Sequence, residues 1–97
     1  MALNDSKSFV QENLFGGRGL VRIWDMLERQ EAPPFSAVLW CQLDPNGSVG
    51  AHRQQTHPEI VICVEGNGLA TVNDNPHVMS AGRMVYLPLG AVLTIEN

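Results

Sequence analysis

AHRQQTHPEIVICVEGNG, residues 51–68, places His52, His57 and Glu59 within eight residues, then runs apolar from Ile60 to Val64 and ends in Gly66-Asn67-Gly68. On an extended strand, residues two apart share a face. His52 and Gln54 therefore point the same way, and so do His57 and Glu59. If the chain is already extended at residue 57, all four point to one side. The run that follows does not alternate: Ile60, Ile62 and Val64 are as apolar as Val61 and Cys63. A strand apolar on both faces needs cover on both. A chain of 97 residues has little to spare for the second cover, so a homodimer is the expected solution.

Outward from this stretch, the chain reads as short strands and tight turns. Before it, 35–43 (FSAVLWCQL) is strand-like, 44–47 (DPNG) is a turn set by Pro45 and Gly47, and 48–54 is a strand. After it, 69–73 and 77–80 flank a turn at Asp74-Asn75-Pro76, and 83–88 and 91–97 are the last two strands. The segment 19–29 is ambiguous. Leu20, Ile23, Trp24 and Leu27 have helical spacing, whereas Val21, Ile23 and Trp24 favour a strand. Residues 31–34 (EAPP) form a break, and 1–13 are polar and expected to be loosely ordered. Regularly spaced short strands without a clear helix indicate one all-β domain over 1–97, a sandwich or barrel.

Composition narrows the function classes. Net charge is −4, with one lysine and five arginines and no basic run, which argues against nucleic acid as a partner. No apolar stretch approaches the ~18 residues of a membrane span. The first ten residues lack the pattern of a signal peptide, so the cytoplasm is the expected location. Cys41 and Cys63 each lie in an apolar run without a CxxC and read as buried free thiols. The 15–19 stretch (FGGRG) lacks the Gly-Lys-Ser/Thr ending of a phosphate-binding loop and reads as a flexible turn.

The order of turns and polar residues resembles the two motifs of the cupin superfamily. The first motif, G-x(5)-H-x-H-x(3,4)-E-x(6)-G, is met by His52, Glu59 and Gly66 in spacing. Gln54 stands at the second histidine, and Gly47 is one residue out of register. The second motif, G-x(5)-P-x-G-x(2)-H-x(3)-N, is met by Gly82, Pro88, Gly90 and Asn97, with Leu93 at the histidine. The resemblance implies a cupin-type antiparallel β-barrel, or jelly roll. The family normally runs one or two strands past the final asparagine, so an unpaired edge is expected where those C-terminal strands are missing.

The resemblance also implies an interior divalent-metal site of three histidines and one glutamate. This chain keeps His52 and Glu59; Gln54 and His57 complete a candidate set, and Leu93 supplies no donor. Imidazole and carboxylate suit zinc, nickel, iron or manganese. The cofactor is thus one divalent transition metal or none. Within the barrel Gln54 and Glu59 could equally be satisfied by hydrogen bonds. His77, after a turn proline, reads as surface.

Three function classes follow. One is a barrel that binds a small organic ligand without reaction, through His52, Gln54, Glu59 and Tyr86. Another is a metal-dependent enzyme of the oxygenase or isomerase class, in which Leu93 leaves a coordination position open. Metal-free acid–base chemistry with a histidine base and Tyr86 as acid is a third. No G-x-S-x-G nucleophile motif is present.

Overall fold

The computed structural model describes residues 8–97. Nine strands follow one another: β1 (Ser8–Glu12), β2 (Leu20–Asp25), β3 (Leu39–Leu43), β4 (Ser48–Arg53), β5 (Glu59–Ile62), β6 (Asn67–Val72), β7 (Asn75–Ser80), β8 (Met84–Leu87) and β9 (Val92–Glu96). A single 3₁₀ turn, Leu14–Gly16, interrupts them. All strand pairs are antiparallel. They form three sheets, ordered β1-β2-β3, β4-β9-β6-β7 and β5-β8, which together make a jelly-roll barrel. No helix among the described residues is long and apolar enough to cross a membrane.

Alternation explains the core. On β8, Val85 and Leu87 are buried while Met84 and Tyr86 are exposed. Their partners on β5 follow suit: Glu59 and Val61 turn inward, Ile60 and Ile62 outward. Val85 and Leu87 join Ala70, Val72, Met79, Ala91 and Leu93 in the main core, with Val61, Cys63 and Ile95 packed against it. A smaller cluster of Val21, Ile23 and Val49 sits beside it, and Ile95 touches both.

Several expectations change. Within the ambiguous segment 19–29, Leu20–Asp25 is strand β2, held between β1 and β3; pairing on both sides outweighs its helical spacing. Part of the stretch expected to be loose, Ser8–Glu12, pairs with β2 as an edge strand. The strand expected from Phe35 begins at Leu39. The β6–β7 turn lies at Asn73-Asp74, both at positive φ, and Val72 pairs with Asn75 across it. This is the two-residue hairpin that asparagine and aspartate favour. Pro76 is inside β7, opposite Thr71. β7 is the edge of its sheet, where a missing N–H is tolerated. Strand β9 is an interior strand, paired with β4 on one side and β6 on the other.

Candidate functional site

Three of the expected residues meet inside the barrel, and an irregularity on β4 brings them there. Ser48 and Val49 pair with Glu96 and Ile95, but His52 and Arg53 pair with Leu93 and Val92. Gly50 and Ala51 together thus stand opposite Thr94, which is a β-bulge. In a regular strand Val49 and His52, three apart, would face opposite ways. The extra residue resets the phase, so both face inward with Ile95 and Leu93.

The loop after the bulge is fixed by the second motif's turn. Gln54 N–H donates to the Ala91 carbonyl at 2.8 Å, and Gly90 N–H donates to the Gln54 carbonyl at 2.7 Å. Gly90 has φ of 90°, a conformation in which glycine is favoured. Asn97 plays a similar part at the far end of β9. Its side-chain amide donates to the Leu43 and Asp44 carbonyls, both at 3.0 Å, pinning the Asp44–Gly47 turn. The matched glycine and asparagine are therefore scaffold residues.

The side chains form a chain of contacts. Gln54 Nε2 donates to Glu59 Oε2 at 3.0 Å and lies 3.1 Å from His52 Nε2. All three residues are half-buried. An amide nitrogen donates and does not accept, so His52 Nε2 is the acceptor and its proton resides on Nδ1. That Nδ1 is buried and has no hydrogen-bond partner. Over the imidazole lies Phe15, with ring centroids 4.2 Å apart and planes at 16°. Arg53 turns away and donates to the Gly90 carbonyl at 2.7 Å.

The other expected residues do not join them. His57 is exposed in the β4–β5 loop, whereas His77 is exposed on β7, the surface position expected of it. Tyr86, expected to line the pocket, is 56% exposed on the outer face of β8, opposite Ile60; it alternates with the inward Val85 and Leu87. Leu93 is 2% exposed and sits across from His52 in the β4–β9 ladder. Among the described residues, no group of three His, Cys, Asp or Glu side chains converges as a metal centre. Two good donors, an amide and a leucine do not make a closed four-ligand site.

Two residues outside the expected set border the site. Phe15 is one. Cys41 on β3 is the other: it was expected buried, but the residue is exposed and free. Its thiol is nevertheless pushed above its ordinary pKa, first by burial of the sulfur and then by the Glu59 carboxylate. The thiolate is disfavoured there, which makes the group a sluggish nucleophile.

The comparisons fit this geometry. A cupin-domain family model matches residues 39–97. Dimethylsulfoniopropionate lyase DddW of Ruegeria pomeroyi is 34% identical over 71 residues, covering 72% of this chain and 46% of the lyase. The chain thus spans about half the length of that relative. Among solved structures, a predicted oxalate decarboxylase from Thermotoga maritima superimposes with a TM-score of 0.85 at 25% identity, over all of this chain and 87% of that one. The Schizosaccharomyces pombe Cnp3 cupin domain does so with 0.72 at 12% identity, over all of this chain and 64% of that one, and shows the fold alone. The matched turn residues of both motifs, the jelly-roll barrel and the match over 39–97 together place the chain in the cupin family.

Proposed function

We propose that this cupin domain binds a small organic molecule at the His52–Gln54–Glu59 cluster. The carrying observation is the convergence of an imidazole, an amide and a carboxylate within 3.0–3.1 Å contacts on the inner side of the barrel. Glu59 is the charged member, and Arg53 is turned away from it. Half-buried negative charge favours a neutral or cationic head group and repels a bare anion. A sulfonium or ammonium compound suits the site; oxalate suits it only with a cation alongside. The test is an amide and side-chain NMR titration with dimethylsulfoniopropionate and with oxalate. Expected are shifts at the Gln54 side-chain amide with the first, abolished by Glu59→Gln. Shifts confined to the separate groove that Leu20, Arg22, Gln42 and Asp44 line on β2 and β3, or none with either compound, would overturn the reading.

A second reading, a metal-dependent enzyme, is favoured by the 34% identity to a lyase. Any divalent cation would be held weakly by His52 and Glu59, and Gln54 would first have to give up both contacts. Turnover of dimethylsulfoniopropionate after loading with iron, manganese, nickel or zinc separates this reading from the first.

We also propose that a second copy covers the outer face of β5 and β8. Ile60 and Ile62 are 57% and 58% exposed, beside Met84 and Tyr86. This face carries no charge at those four positions, so a symmetric pairing strands none. Sedimentation of the unmodified protein should give a dimer and that of Ile62→Lys a monomer; a stable wild-type monomer would refute the pairing.

A further inference from the structure

We propose that Phe15 is a positioning residue for His52: its ring fixes the imidazole plane so that Nε2 aims at Gln54 and Glu59. This rests on the binding reading of that cluster. Phe15 holds φ 52° and ψ 33°, the left-handed region, which a bulky residue adopts only when its surroundings impose it. Burial does not explain the cost, because the residue stays 55% exposed. Its ring stacks on that of His52.

The turn that carries Phe15 is seated rigidly. A Cβ on Gly50 would overlap the Phe15 carbonyl, and one on Gly17 would overlap the Ser48 carbonyl. Backbone therefore lies directly on backbone at the bulge. Gly17 N–H donates to the Leu14 carbonyl at 2.9 Å and Ser48 N–H to the Arg18 carbonyl at 2.8 Å. Arg18 N–H donates to the buried Ser48 Oγ at 3.0 Å. Leu14 packs on the cluster of Val21, Ile23 and Val49. The same bulge that turns His52 inward thus receives the turn that covers it.

The imidazole needs such a clamp. With Gln54 donating to both neighbours, the proton is left on Nδ1, buried and unpartnered. An unrestrained ring would rotate to give that proton an acceptor or water. The hydrogen bond sets the ring's direction within its plane, and the Phe15 face sets the plane.

The experiment follows the His52 tautomer by ¹⁵N NMR of the ring nitrogens, with exposed His57 and His77 as internal references. In the unmodified protein His52 should carry its proton on Nδ1. Phe15→Leu keeps apolar bulk without a flat face, and Phe15→Asn suits the left-handed backbone. Both should convert His52 to a mixture of tautomers, and Phe15→Trp should restore the single one. Phe15→Asn should do so without loss of thermal stability, which a merely structural role would not allow. In a Gln54→His background, Phe15→Leu should weaken Co²⁺ binding roughly tenfold and Phe15→Trp should recover it, as with other groups that orient a ligating histidine. An unchanged tautomer and unchanged Co²⁺ affinity in folded Phe15→Leu and Phe15→Asn would overturn the assignment. A tautomer that responds in a protein binding neither test compound would instead refute the binding reading and leave the positioning intact.

Discussion

Strands β4 and β8 both line the barrel, but they do so by different rules. β8 is regular: Val85 and Leu87 in, Met84 and Tyr86 out, each opposite its partner on β5. β4 is broken: Val49 and His52 face the same way only because Gly50 and Ala51 share one partner. The regular strand supplies packing. The broken one supplies the polar cluster and the seat for the turn around Phe15. Periodicity builds a wall, and a site needs a side chain aimed where the periodicity would not put it.

The comparison is tested most severely by rebuilding the ligand set on the broken strand. Leu93 is the ladder partner of His52, and Gln54 already touches both donors. Gln54→His with Leu93→His should raise Zn²⁺ affinity on the order of 10³-fold, about 4 kcal/mol, because four good ligands replace two. Calorimetry measures it. No gain would mean that the bulge does not bring these positions to one point.

On the regular strand the matching test is stability. Leu87 is 0% exposed in the main core, so Leu87→Ala should cost about 2–5 kcal/mol in urea unfolding. Tyr86→Ala, one residue away on the outer face, should cost under about 1 kcal/mol when unfolding is followed at concentrations low enough to dissociate the proposed dimer. Similar losses at both positions would mean that the outer face is as tightly covered as the core, which a very tight dimer would produce.

The same contrast decides what could be read from the chain. The strands of the main core were legible because Val85/Leu87 and Met84/Tyr86 alternate, and because Gly82, Pro88 and Gly90 mark turns by backbone geometry. That His52 and Gln54 share a side was legible from spacing, and that Glu59 joins them was legible only from the motif. His57 was not, because spacing alone does not show that the strand has ended by residue 54. Tyr86 was misplaced although its own alternation with Leu87 argues for the outer face. Pro76 reads as a turn residue because sequence does not say which strand is an edge. Phe15 was out of reach: nothing local distinguishes an aromatic beside two glycines in a loose turn from one locked onto a histidine 37 positions later.

The smallest effect concerns Cys41 on β3, whose thiol responds to the Glu59 charge. The Cys41 thiol is raised by burial first and by the Glu59 charge second. Glu59→Gln removes the second cause and leaves the first. The thiol pKa should therefore fall, yet stay above that of a free cysteine. Alkylation runs through the thiolate, so below the pKa its rate should rise several-fold at fixed pH and its pH profile should shift to lower pH. Cys63, also free, is the internal reference, read separately by mass spectrometry with iodoacetamide. The sign is what matters. Faster Cys41 alkylation with Cys63 unchanged places the thiol within the field of the cluster, so that β3 closes over the irregular side of the barrel as β8 closes the regular one. An unchanged rate would mean that the negative charge at Glu59 does not reach β3, and that the barrel is open to solvent between them.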